Sequence, residues 1–311
     1  MPLINHIVCP VDMSASTRPL LAFAATWARW YDADLHVLHA VPPPQMLGDP
    51  IGGIVVATPS RPLHEVRLEL ERIVTEVVPE DLRSSVAVIE GQPVDAILHD
   101  AQARRWSMVI MGSHGRSGLD RIVHGSVSAT VAHHIRCAVL VLPARLLDSE
   151  EPLPLFSRVL CAVDFLPSSL TALDHALQLA GQANARIEVL HVLETGGDEE
   201  AVGLRHFSVP EYHAAREREA LADLRRHIPE RAKRWCTVHE RVASGNPGWT
   251  LLRVAEETQA DLIVMGSGDR YHLRSLWMGG ATDRVIRMAY APVLIVPASK
   301  SDAHEAPAEY D

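Results

Sequence analysis

The sequence predicts an α/β chain of two tandem doubly wound domains, each a parallel sheet of about five strands covered by helices on both faces. Three observations predict it. Short, near-continuous apolar runs such as Ile7–Val11 and Ala138–Leu142 alternate with segments of helical period; strands that are apolar on both faces belong to covered parallel sheets. The pattern is written twice. His6–Asp12 (HIVCPVD) recurs as Arg158–Asp164 (RVLCAVD), and Leu35–Val41 (LHVLHAV) as Ile187–Leu193 (IEVLHVL), both 152 residues on. Ser107–Pro143 aligns without a gap to Asp261–Pro297, 154 residues on, as Glu90–Val94 (EGQPV) does to Ser244–Gly248 (SGNPG). A unit of about 140 residues is a whole domain, too long for a solenoid repeat. Finally, the acids and prolines of RLLDSEEPLPLFS (Arg145–Ser157) read as a connection. The expected layout is a first domain over 1–145, a linker over 146–157, a second domain over 158–298 and a frayed tail over 299–311.

The elements of the first domain follow in order. Ile7–Val11 is a buried strand. Ser14–Arg29 carries Leu20, Phe23, Ala24 and Trp27 at helical spacing, with Ser16 as N-cap. Leu35–Val41 is the second strand, and Pro42–Pro62, rich in Pro and Gly, is a loop. Leu63, Val66, Leu70, Ile73, Val74 and Val77 mark an amphipathic helix. Val86–Ile89 is a strand, and Pro93–Ala103 a helix opened by a proline. Met108–Met111 is the fourth strand, Gly125–Ile135 a helix and Ala138–Leu142 the fifth strand. Ligands of such sheets sit beyond the carboxyl ends of the strands, where strand order reverses. The loops after strands one, two and four are therefore the places to look.

Composition narrows the function. The chain has 311 residues and a net charge of −10, which gives no electrostatic reason to approach nucleic acid or anionic lipid. No apolar run nears the length of a membrane span, Leu20–Trp30 being broken by Arg29. The start, Met1–Asp12, lacks the basic opening and apolar core of a signal peptide, so the expected location is the cytoplasm. Cys9, Cys137, Cys161 and Cys236 show no paired spacing, and small buried hydrophobes are the better reading than redox or metal chemistry.

The informative segment is Met111–Val127, MGSHGRSGLDRIVHGSV, between a buried strand and a helix. Gly112 and Gly115 let the backbone turn with its N–H groups outward. Gly125 and Ser126 open the next helix, where free N–H groups and the dipole favour an anion. Ser126 can donate to a phosphate oxygen or cap the helix. No Gly-Lys-Ser/Thr occurs, nor a GxGxxG after the first strand, so neither a Walker loop nor a dinucleotide fingerprint is present. On the residues alone, a phosphate cradle and a glycine-rich turn before a capped helix both stand.

Gly112, two residues, Gly115, nine residues, then Gly125-Ser126 is similar to the Gly-2x-Gly-9x-Gly-Ser/Thr pattern of the ATP-binding branch of the universal stress protein family. The opening strand ending in Asp12, the Leu38-His39-Ala40 turn and the Gly91-to-Pro93 helix start also resemble that family, across both repeats. The resemblance implies an adenine-nucleotide hydrolase-like, Rossmann-like fold that binds ATP, with or without Mg²⁺. It implies that Asp12 and the backbone at Ala40 hold the adenine, and that Pro10 and Gly112 lie near the ribose. Gly115, Gly125, Ser126, Val127 and Ser128 would offer donors to the phosphates, with Arg116 as an added cation. Arg116 and His114 read equally as solvated turn residues, and Asp12 as a cap for the helix near Ser14. The family's last strand commonly pairs two domains, which implies an internal pseudo-dimer here and leaves room for a homodimer.

In the second repeat Gly266 and Gly279 survive, but Asp269 replaces Gly115 and Gly280 replaces Ser126. A carboxylate beside phosphates repels them, so ATP is expected in the first half and weakly or not at all in the second. Asp164 and Val192 still match the adenine end. His206, Glu211 and His213 are possible zinc ligands but read better as solvated side chains, and Glu211–Arg226 reads as a charged helix face. No nucleophile elbow or catalytic acid pair is evident. The leading expectation is a nucleotide-regulated stress-response protein, ATP ordering the Gly112–Ser126 loop for protein partners of unknown identity. A slow ATPase and a scaffold that ignores nucleotide are the alternatives.

Overall fold

The structure, a computed structural model, describes residues 4–43, 46–47, 56–57, 61–104, 107–113, 127–148, 156–194, 209–268 and 280–298. The chain divides into two compact units, Met1–Leu153 and Pro154–Asp311.

In the first unit, strand β1 (His6–Val11) leads through helix α1 (Thr17–Tyr31) to β2 (Asp34–Val41). Helix α2 (Leu63–Val77), β5 (Ser84–Glu90), α3 (Pro93–Arg104) and β6 (Met108–Gly112) follow. Helix α4 (Val127–His134), β7 (Ala138–Leu142) and the short α5 (Ala144–Leu147) complete it. The strands pair in the order β7-β6-β1-β2-β5, all parallel. Chain order thus reverses between β1 and β6, and the crevice above those two strands is the switch point. The segment expected to be wholly loop contains a two-residue antiparallel pair, β3 (Met46–Leu47) with β4 (Val56–Ala57). Pairs that short show no periodicity. Strand β5 begins two residues earlier than expected, because Ser84 and Ser85 pair with Leu35 and His36 although they are polar.

The core explains these elements. Ile7, Val8 and Cys9 are buried from both faces, as are Val109 and Ile110 in β6 and Val139 and Leu140 in β7. Helix α1 turns Leu20, Phe23, Ala24, Trp27 and Ala28 onto the sheet. It stops at Asp32, whose left-handed backbone (φ 50°) returns N–H bonds to Ala28 and Arg29. Helix α3 meets β2 through a buried polar contact: His36 Nδ1 shares a hydrogen bond with Ser85 Oγ at 2.8 Å, and Nε2 lies 3.7 Å from Asp100 Oδ2.

The second unit repeats the plan: β8 (Arg158–Ala162), α6 (Pro167–Ala183), β9 (Arg186–Leu193) and α7 (Val209–His227) come first. A 3₁₀ turn (Ala232–Arg234), β10 (Thr237–Ser244), α8 (Pro247–Thr258), β11 (Leu262–Gly266), α9 (Ala281–Met288) and β12 (Val293–Val296) follow. Its order is β10-β9-β8-β11-β12, again parallel, with reversal between β8 and β11. Both units are therefore the doubly wound sheets the sequence predicts. Among the described residues no helix is long and apolar enough to cross a membrane.

Candidate functional site

At the carboxyl end of β1 the chain leaves the sheet at Asp12. One carboxylate oxygen, Oδ1, accepts a hydrogen bond from the Ser14 N–H at 3.0 Å, and Ser14 Oγ accepts one from Ser16 N–H at 3.3 Å. These two turns lead into α1, and Ser16, although at the N-cap position, makes no capping bond with its own side chain. Asp12 thus does the local work of a helix-start acid with one oxygen. The other, Oδ2, is buried and has no hydrogen-bond partner among the described residues. Thr17 Oγ1, a turn further, is in the same state. Between the acid and the serine, Met13 is held at φ 60°, a backbone conformation that costs a non-glycine residue about 1 kcal/mol.

The end of β2 is fixed to the end of β1 by a side chain. Buried His39 places Nδ1 2.7 Å from the Val11 carbonyl oxygen. A carbonyl only accepts, so Nδ1 carries the proton. Ala40, the next residue, lies opposite Ile89 of β5 at the sheet's carboxyl edge. On the other side of the switch point, Gly112 ends β6 opposite Leu142, and Ser113 N–H bonds the Leu142 carbonyl at 2.8 Å. Ser128, in the first turn of α4, is buried and directs its hydroxyl to the Ser113 carbonyl at 3.5 Å. Val127, beside it, is exposed.

Pro10, Asp12, Ala40 and Gly112 thus belong to the carboxyl edge of three adjacent strands, and Ser128 is tied to the exit of β6. Gly115, Arg116, Gly125 and Ser126, like His114, lie outside the described residues. Among the described residues no three His, Cys, Asp or Glu side chains form a metal-binding group. Sequence reasoning missed His39. The available signal was a histidine at the same place in both repeats, in LHVLHAV and IEVLHVL.

The second unit keeps the frame and changes the contents. His191 Nδ1 lies 2.7 Å from the Val163 carbonyl oxygen, as His39 does to Val11. Asp164 Oδ1 accepts from Leu166 N–H at 3.0 Å, and Phe165 sits at φ 65° where Met13 has φ 60°. Ser169, at the position of Thr17, spends its hydroxyl locally: it accepts from Asp164 N–H at 3.2 Å and donates to the Leu166 carbonyl at 3.0 Å. Gly266, the counterpart of Gly112, has a packing reason to be glycine. A Cβ there would lie 2.7 Å from both Ser168 Oγ and Ser169 N. Gly280, where Ser126 stands in the first repeat, precedes α9 with open space around it, and Gly268 has φ 77°. Asp269 and Gly279 lie outside the described residues.

Comparison with known proteins agrees with this duplicated plan. The model of the universal stress protein family matches residues 4–143 and again 155–297. A universal stress protein of Mycolicibacterium smegmatis is 27% identical over 303 residues, covering 93% of this chain and 96% of its own length. One from Mycobacterium bovis is 25% identical over 298 residues, covering 94% and 96%. Among solved structures, a universal stress protein from Archaeoglobus fulgidus superposes with a TM-score of 0.63 at 23% identity, covering 96% of this chain and 97% of that one.

Proposed function

Because this chain belongs to the universal stress protein family, we propose that it is an ATP-binding stress-response protein whose first unit holds the nucleotide at the switch point above β1 and β6. The observation that carries the proposal is the buried Asp12 Oδ2 without a partner among the described residues. A carboxylate oxygen can only accept, and leaving a buried acceptor unpaired costs about 1–3 kcal/mol. A ligand donor offsets that cost, and the exocyclic amine of adenine is such a donor; guanine carries a carbonyl there. The backbone at Ala40 offers the second adenine contact, and Pro10 and Gly112 flank the ribose. The glycine-rich turn at Gly112, Gly115, Gly125 and Ser126 has the residue types to present N–H groups to the phosphates, with Arg116, Val127 and Ser128 alongside. Mg²⁺ would enter on the phosphate oxygens.

The nucleotide acts here as a regulatory ligand: loaded and empty protein differ in the surface above the sheet, and partner proteins read the difference. Titration calorimetry tests it. The wild-type chain is expected to bind ATP in preference to GTP, and Gly115→Asp, which places the second repeat's carboxylate beside the phosphates, is expected to abolish ATP binding. ATP affinity unchanged in Gly115→Asp, or no ATP binding by the wild-type chain, overturns the proposal.

A further inference from the structure

In the second unit a cleft of about 200 Å³ opens between the turn after β8, the end of β9 and helix α7. Its walls include Phe165, His191, Arg216, Glu219, Ala220 and Asp223. The matching helix of the first unit shows what has changed. Helices α2 and α7 align through the tripeptides just beyond them, Val78-Pro79-Glu80 and Ile228-Pro229-Glu230, 150 residues apart. This sets Val66 against Arg216, Leu70 against Ala220 and Ile73 against Asp223. Leu70 is 0% exposed and Val66 5%, so α2 fills with hydrocarbon the place where α7 presents a truncated side chain and two charges. Giving up a buried Leu or Val forfeits about 1.5–3 kcal/mol. Phe165, which stands where the first unit has Met13, takes part of that place, its ring 4.5 Å from that of His191 and 5.5 Å from that of His227, and what is left is a cleft walled by charge.

The chemistry of the walls defines the ligand. Glu219 and Asp223, one helical turn apart, are acceptors, and Asp223 also pairs with Arg226 through Oδ1. His191 spends its Nδ1 proton on the Val163 carbonyl, which leaves Nε2 as the ring's remaining polar atom. Phe165, its ring centroid 4.5 Å from that of His191, supplies an aromatic wall that attracts an ammonium. Arg216, whose guanidinium lies 5.9 Å over the Tyr212 ring, is the cationic donor. We propose that this cleft binds a small zwitterion, with an ammonium group and a carboxylate separated by a short carbon spacer. The ammonium goes to Glu219, Asp223 and the Phe165 face. The carboxylate takes the guanidinium of Arg216, whose planar fork suits it. The assignment is independent of the nucleotide in the first unit.

Calorimetric titration of the full chain with glycine, β-alanine and 4-aminobutanoate tests it across three spacer lengths. At least one is expected to bind saturably, at millimolar dissociation constant or tighter. Ala220→Leu, which restores the residue of the first unit, should weaken that binding by about tenfold or more by filling the cleft. Glu219→Gln should weaken it to a similar extent, and because Glu219 is exposed this variant keeps the test valid should Ala220→Leu fail to fold. Arg216→Gln should remove the advantage of the zwitterion over the alkylamine that lacks its carboxylate. Failure of all three probes to bind, or binding that neither Ala220→Leu nor Glu219→Gln reduces, overturns the proposal.

Discussion

Asp12 uses one oxygen for folding and, in the proposed site, offers the other to a ligand. Oδ1 builds the turn into α1 through Ser14, while Oδ2 is buried and unspent among the described residues. Asp12→Asn separates the roles, since the amide oxygen can still accept from Ser14 and the new NH₂ replaces the spare acceptor with a donor. Facing the adenine amine, that donor should weaken ATP binding by about tenfold or more, a loss of about 1.4 kcal/mol. Inosine triphosphate, which carries a carbonyl at that position, should lose less or gain. Titration of both nucleotides against both proteins checks the prediction, and equal losses would count against the placement of the base. Burial pushes the Cys137 thiol up to about 12 and raises those of Cys9 and Cys161 as well. A pKa raised in the folded state means stability is full below the ordinary value of 9.0 and declines as pH rises above it. Urea unfolding at pH 8 and pH 10 should therefore show a fall in stability that Cys161→Ala makes shallower. Native thiols at pH 8 should resist alkylation.

The elements were legible wherever the chain had to satisfy one face or both. Runs such as Val109–Met111 and Val139–Leu142 sit between layers and must be apolar throughout. The helices facing them carry apolar residues at three- and four-residue spacing. What stayed illegible had no such constraint. The β3–β4 pair is too short for a period, and the strand character of Ser84 and Ser85 comes from their backbone pairing with β2. His39 was hidden by its setting in an apolar strand, where a buried imidazole looks like filler until its carbonyl partner is seen. The turn after β1 was readable at Asp12, an acid followed by serines before a helical pattern, and Oδ1 of Asp12 does bond the Ser14 N–H. Helix α8 ends at Gln259, left-handed at φ 51°, with its N–H returned to the carbonyls of Ala255 and Glu256. Gln259→Gly should relieve the side-chain penalty and raise stability by about 0.5–1 kcal/mol, less what is lost with the exposed contact from Arg158. A chemical denaturation curve with a higher midpoint and unchanged slope is the expected result.

Duplication governs the whole molecule. One sheet plan was copied, and the copies then diverged in what they present at their carboxyl edges and along their second helices. The first repeat keeps the Gly112, Gly115, Gly125, Ser126 spacing, whereas the second has Asp269 and Gly280 at the third-residue glycine and serine positions. Saturation should therefore require one ATP per 34.2 kDa chain, measured as the stoichiometry of a calorimetric titration or of nucleotide released on denaturation. Two equivalents bound with equal affinity would mean that the second loop has found another route to the phosphates.

The imidazole latch between neighbouring strand ends is the same in both copies, 2.7 Å from His39 to Val11 and from His191 to Val163. A chain that keeps its joinery constant while altering its fittings is its own matched control. Transplanting α7 wall residues onto α2, or the glycine-serine turn into the second repeat, should move a ligand preference from one half to the other without re-engineering either sheet. Each half is a ready recipient for whatever specificity the other has acquired.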